Sequence, residues 1–298
     1  VSEEFSGELE YEDHKLPLIV AGSSSVEVDG PFPKKLAYDE VTDADLRLTI
    51  KSDKSSFTSD TSFRAFLCSK AKNRIEIDGK LDDWAKQPAI AFNDRLVSVK
   101  GTEIADDDFS GWFKAAWTGQ GIYLAVKIVD DNFVIRKIST PGGRWCNDSL
   151  QIYFDSLCDA RTRLYNGYDE NDYDYAVHPN DEGDTAEVYR RKTPDPQLGL
   201  ATQAPNDNTL APDIPVAFKR TADGYVYEVF FPAKYLLPIQ LKKGYVVGVG
   251  LLVNDRDVRD NAAGMARNGH TESALTLTSD GKGCYNNPQA WPAMLLWD

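Results

Sequence analysis

Phe113-Lys114-Ala115-Ala116-Trp117-Thr118-Gly119-Gln120-Gly121-Ile122-Tyr123-Leu124-Ala125-Val126-Lys127-Ile128-Val129 holds two apolar runs on either side of a Gly-Gln-Gly turn. Short β-branched and aromatic runs broken by glycine mark an antiparallel hairpin. The second run ends in two acids, Asp130 and Asp131. The same texture recurs outward at residues 5–11, 25–28, 46–50, 63–67, 149–155, 186–189, 215–219, 224–231 and 246–253. Gly, Pro, Asp or Asn bounds each run, and helical periodicity is sparse; residues 232–237 offer a single turn. This spacing predicts an all-β chain folded as an antiparallel β-sandwich of two sheets.

The 298 residues allow one large domain or two modest ones. A composition shift near residue 70 predicts a small β domain over 1–70, whole or the trailing part of a larger sandwich. Residues 71–298 then form the main sandwich, with long polar loops at 156–184 and 192–213. The chain has 33 basic and 47 acidic residues, a net charge of −14. Affinity for nucleic-acid phosphates or an anionic membrane needs clustered Lys and Arg, so neither is an expected partner. Neutral ligands and cations, calcium above all, fit the charge. No stretch approaches the roughly 20 apolar residues of a membrane helix. The start Val-Ser-Glu-Glu, without an initiator Met, suggests an excised piece or a processed product, and the low Met with 14 Tyr and 6 Trp fits a secreted or cell-surface protein.

Two local features stand out. Ile75-Glu76-Ile77-Asp78-Gly79-Lys80-Leu81-Asp82-Asp83-Trp84 sets a tight-turn pair, Asp78-Gly79, ahead of a tryptophan expected to tuck back as a core plug. Arg144-Trp145-Cys146-Asn147-Asp148-Ser149-Leu150-Gln151-Ile152-Tyr153-Phe154-Asp155 puts Trp145 in a loop just before a strand. An aromatic there is easily presented to a ligand, and its face suits the C–H face of a sugar ring.

The ordered set of motifs is similar to the carbohydrate-binding modules of family 9, relatives of the DOMON superfamily. It runs through Ile77-Asp78-Gly79-Lys80-Leu81-Asp82-Asp83-Trp84, Ala116-Trp117, Ile122-Tyr123-Leu124, Asp148-Ser149-Leu150-Gln151-Ile152, Glu228 before Pro232, Val253-Asn254-Asp255 and Asn287-Pro288. The resemblance spans about residues 73–298. It implies a two-sheet sandwich without catalytic residues that binds ends of glucan or xylan chains. Such a module is attached to the catalytic domain of a secreted polysaccharide-degrading enzyme. It also implies a clamp of two aromatics, Trp145 and Tyr285, with Gln151 and Asn287 as further ligand-binding residues. Gln151 stands where the family has an acid, and the family's Arg is expected to be replaced around Tyr175-Ala176-Val177-His178.

The family's structural calcium suggests oxygen donors from Asp130, Asp131 and Asp148, near the ligand end, and from Asp172 and Asp174. The last two sit in Asp169-Glu170-Asn171-Asp172-Tyr173-Asp174, which resembles half of an EF-hand loop without its glycine and closing Glu. A solvated loop is the alternative there. The three histidines, His14, His178 and His270, show no metal-ligand spacing. If the two aromatics bracket one sugar, their neighbours Cys146 and Cys284 approach disulfide range. The alternatives are a Cys146–Cys158 pair and four free, buried thiols. Three rival functions remain open: a spacer or protein-interaction domain, a haem carrier using Met265 and His270, and a glycosidase. No carboxylate pair singles itself out for the last.

Overall fold

The structure is a computed structural model that describes residues 4–11, 14–21, 35–51, 56–92, 94–97, 105–135, 145–162, 166–194, 209–256, 273–278 and 283–298. The runs at 25–28, and Met265 and His270, lie outside these residues. The strands in chain order are β1 (Glu4–Tyr11), β2 (His14–Ala21), β3 (Thr42–Lys51), β4 (Ser56–Lys70), β5 (Ile90–Ala91), β6 (Asp94–Val97), β7 (Phe109–Thr118), β8 (Gly121–Asp130) and β9 (Ser149–Asp155). They continue with β10 (Asp172–Pro179), β11 (Ala186–Lys192), β12 (Thr209–Leu210), β13 (Val216–Thr221), β14 (Gly224–Pro232), β15 (Val246–Asp255), β16 (Ser273–Thr276) and β17 (Ala293–Trp297). The helical segments described are single 3-10 turns, such as Ala233–Tyr235 within the expected turn. The all-β sandwich is thus the observed fold.

One sheet runs β6-β16-β15-β9-β10-β11-β12, with β17 alongside the start of β15. The other runs β5-β7-β8-β14-β13. Alternation fills the space between them. Leu150, Ile152 and Phe154 of β9 face Leu124 and Val126 of β8 and Phe231 of β14 in one cluster of buried side chains. Phe154 meets Phe231 edge to face at 5.3 Å, the geometry that ring quadrupoles favour. β10 lies inside the stretch 156–184 expected as loop; its alternation is masked because polar and aromatic residues, Asp172 to His178, are buried on both faces.

The N-terminal strands are built onto this frame through β4. β1, β2 and β3 pair antiparallel, and β3 pairs with β4 along its length. β4 runs up to the composition shift at residue 70, and its C-terminal end is built into the main sandwich. Ala65 to Ser69 run parallel to β17, and Ser69 and Lys70 run parallel to β7. Phe66 and Cys68 are fully buried in the main core, with Phe66 edge-on to Phe113 at 5.6 Å.

Trp84 closes the outer face of β7, β8 and β14. Its indole packs with Ile75, Ala116, Tyr123 and Ala125 and is wholly buried. The small side chains of Ala116 and Ala125 leave the space the ring fills. Glu228, on the same face, accepts hydrogen bonds from Trp84 Nε1 at 2.6 Å, from the Gly79 amide at 2.5 Å and from the Asp78 amide at 3.1 Å. Gly79 has φ +76°, so the Asp78-Gly79 turn is made by a residue free of the left-handed penalty. Trp84 is therefore the core plug that the sequence predicted.

Candidate functional site

On the outer face of the β15-β9-β10-β11 sheet, alternation presents Gln151, Tyr153 and Asp155 from β9 beside Asp172 and Asp174 from β10. Gly250 of β15 faces the same way. A Cβ there would stand 2.9 Å from Trp291 Nε1, so its absence lets the indole lie flat on the sheet. Trp291 stacks on Tyr153 at 5.3 Å, and Tyr168 adds a third ring at 6.2 Å from Trp291.

This aromatic floor carries a turn at residues 284–287. Cys284 is buried and its thiol donates to the Leu251 carbonyl at 3.1 Å. The Cys284 carbonyl accepts from Trp291 Nε1 at 2.9 Å and from the Asn287 amide at 3.2 Å. Asn286 takes a left-handed φ of +50°, a conformation asparagine tolerates, and its side chain accepts from the Tyr168 amide at 2.8 Å. The turn leaves Tyr285 at its tip, 56 % exposed, with Tyr168 edge-on at 6.0 Å. Asn287 is used by the turn itself: it donates to Gly283 O at 2.9 Å, accepts from Asn166 and is buried.

Beside Tyr285 lies a cation, Arg191, that the sequence reading did not assign to the site. The ladder of β10 on β11 shifts register between Asp174 and Tyr175, which pair with Lys192 and Arg190. Arg191 is the extra residue, and bulges of this kind re-aim side chains. Its guanidinium stands 5.4 Å from the Tyr285 ring centroid, donates to Gln151 Oε1 at 3.2 Å and lies 3.7 Å from Asp174 Oδ2. Tyr153 also donates to Gln151 Oε1. An Arg is thus present on this face, one strand beyond Tyr175-Ala176-Val177-His178. The bulge that sets its place has no signature in alternation. Burial pushes the Asp174 carboxyl up to about 6 although Arg191 and the Tyr168 hydroxyl oppose the shift.

Trp145 sits at the entrance to β9, half-buried, and its carbonyl accepts from Ser149 Oγ at 3.4 Å. Ser149 is two residues, about 7 Å of strand, from Gln151. Cys146 and Cys284 are both free, as are Cys68 and Cys158. Of the alternatives the sequence left open, neither the Cys146–Cys284 nor the Cys146–Cys158 bridge is formed. The Cys146 carbonyl is held by Arg256 past the end of β15, whereas the Cys284 thiol is held at Leu251 in its middle. Three of the thiols are buried and Cys158 is partly exposed.

Next to Trp145, three carboxylates converge. Asp130 ends β8, Asp148 precedes β9 and Asp255 ends β15; their oxygens lie within 4.8 Å of one another and all three residues are buried. Asp148 accepts the amides of Val134 and, at 2.7 Å, Arg256. Asp130 Oδ1 accepts the Asn132 amide at 2.7 Å, while Oδ2 is buried with no hydrogen-bond partner. Burial, then the nearby like charges, holds the Asp148 carboxyl well above the usual carboxylate range; burial likewise pushes Asp130 up to about 6. Three buried oxygen donors with an orphaned lone pair fit a hard divalent cation such as calcium. Asp255 joins this group from outside the sequence-predicted set. Asp131 is exposed, and Asp172 and Asp174 lie on the other site's face, where Asp172 accepts the Asp169 amide at 2.7 Å. His178 is buried on β10 against Tyr189.

Residues 77–298 match the sequence profile of the family described as carbohydrate family 9 binding domain-like. The chain belongs to that family. Two solved structures share the fold of this family member. Both are family 9 carbohydrate-binding modules from Caldicellulosiruptor kristjanssonii, one in complex with cellotriose and one with glucose. Each is 16 % identical to the chain. The first has a TM-score of 0.53 and covers 78 % of this chain and 93 % of its own. The second has a TM-score of 0.50, with coverages of 77 % and 95 %. None of the curated proteins compared with the chain matches it.

Proposed function

We propose that the chain is a non-catalytic carbohydrate-binding module that holds a saccharide on Tyr285, with Trp145 as the second aromatic wall and Gln151 and Arg191 as hydrogen-bonding groups beneath. The observation that carries this reading is Tyr285 itself: a ring 56 % exposed on a fully braced turn, beside a guanidinium already fixed in place. A ring held ready on a braced turn is pre-ordered, and a pre-ordered site loses little entropy on binding. Family membership supports the ligand class, and the family's habit of accompanying polysaccharide-degrading enzymes makes a secreted enzyme the expected parent.

Titration calorimetry against cello- and xylo-oligosaccharides tests the reading. Tyr285→Ala is expected to weaken binding by at least about 30-fold, the scale of a central contact residue. Its effect on unfolding should stay within about 0.5 kcal/mol because the ring is exposed. Saccharide binding that survives the substitution unchanged would remove Tyr285 from the site.

Asp130, Asp148 and Asp255 would hold one calcium ion, whose charge offsets the three buried carboxylates and ties the ends of β8 and β15 to the loop carrying Trp145. Chelator is expected to lower the melting temperature, and calcium to restore it. A ligand at a hundredfold its Kd stabilises the native state by about 2.7 kcal/mol. Asp255→Asn should blunt the response. A melting curve indifferent to both chelator and calcium would exclude the site.

A further inference from the structure

The hydrogen-bonding groups around Tyr285 are unequal in kind. Gln151 Oε1 accepts from both Tyr153 and Arg191, so the amide is locked with its NH2 turned away from them. Asp174 lies beneath Arg191, almost wholly buried, with Oδ2 accepting from the Tyr168 hydroxyl at 3.1 Å. Its field is shared by two cations, Arg191 and Lys192. Gln151 Oε1 is used by two donors, Asp174 and its face-mates Asp155 and Asp172 are buried, and Arg191 keeps an open edge beside Tyr285. Among the described residues, Arg191 Nη2 has no hydrogen-bond partner, and the side chain keeps 18 % of its surface exposed. Beside the exposed Tyr285, whose hydroxyl both donates and accepts, the charged group that the cleft offers a ligand is the free edge of the Arg191 guanidinium, with the Gln151 carboxamide NH2 as a second donor.

A neutral sugar hydroxyl can accept from these donors but brings no charge to meet the guanidinium. A carboxylate has only acceptors, and a planar guanidinium matches its two oxygens. We propose that the cleft is selective for an acidic saccharide, a uronate whose ring lies on Tyr285 and whose carboxylate meets Arg191 and the Gln151 amide. The proposal rests on the saccharide reading given above and adds the charge of the sugar. The net charge of −14 acts over only about 8 Å at physiological salt, so the local cations govern the contact.

The test is titration calorimetry of the intact chain with four probes of equal length: trigalacturonate, triglucuronate, cellotriose and xylotriose. At least one uronate is expected to bind at least about tenfold tighter than either neutral sugar, in keeping with charge-assisted hydrogen bonds. Arg191→Gln should bring that ratio close to one. Gln151→Glu, which keeps the size and supplies Arg191 with a competing carboxylate, should cut the ratio by at least about tenfold. This second variant decides the matter if Arg191→Gln does not fold. Neutral sugars bound as tightly as uronates, or a uronate preference untouched by both variants, overturns the proposal and leaves the saccharide reading standing. Binding of none of the four probes overturns both.

Discussion

Trp84→Ala is expected to lower unfolding stability by about 3–5 kcal/mol, the range for truncating a fully buried large aromatic. The ring is 0 % exposed between Ala116 and Ala125, neither of which can grow to fill the hole. The loss goes beyond packing. Glu228 is buried on the same face, and burial raises its carboxyl while the Trp84 indole and the Gly79 and Asp78 amides oppose the shift. Without the indole, one of the three donors holding that charge disappears. Trp84→Phe restores most of the volume and none of the hydrogen bond, so it should fall between wild type and alanine. Urea unfolding measures all three. A Trp84→Ala cost below about 1 kcal/mol, the centre of ordinary point substitutions, would show that the plug is dispensable.

The second large effect concerns the N-terminal strands. A chain beginning at residue 71 is expected not to fold cooperatively. It lacks Phe66 and Cys68, both 0 % exposed in the main core, and leaves β17 without its β4 neighbour. Arg64, which donates to Asp43 at 2.8 Å and to the Leu277 carbonyl, goes with them. Losing Phe66 alone is worth about 3–5 kcal/mol, against a total stability of about 5–15 kcal/mol for a domain. A chain beginning at residue 56 keeps β4 and should recover a cooperative melt. The comparison tests the expected division at residue 70 directly. A shortened chain from residue 71 that melts as sharply as the parent would establish residues 1–70 as a separable unit.

The hairpin 113–129 and the alternating runs led to the sandwich because half-buried strands print their faces onto the sequence. β9, β8 and β14 are buried on both faces and were legible instead as short β-branched and aromatic runs bounded by turn residues. β10 escapes both signals: Asp172, Asp174 and His178 are buried along with its tyrosines. Polar burial looks like loop to any reading by hydropathy. The site shows the same division. Tyr285 and Gln151 were singled out only through the family resemblance, by their places ahead of Asn287-Pro288 and within Asp148–Ile152. Arg191 depends on a register shift, and Asp255 reaches Asp130 and Asp148 only when the ends of three strands are brought together. Neither arrangement leaves a local trace. Nor could the sequence tell that Cys146 and Cys284 are held at different points along β15.

The parallel pairing of β4 with β17 joins Ala65 to Ala293. On the ribosome, β17 emerges long after β4, so the Ala65–Ser69 end of β4 must wait for that partner while the intervening chain is still being made. Pairings so distant in sequence are slow to form, and an unpaired edge is a template for another chain. Synthesis itself therefore has a vulnerable interval, one that ends only when the last strand arrives. Conditions that slow translation or crowd nascent chains should raise aggregation before they alter the finished protein.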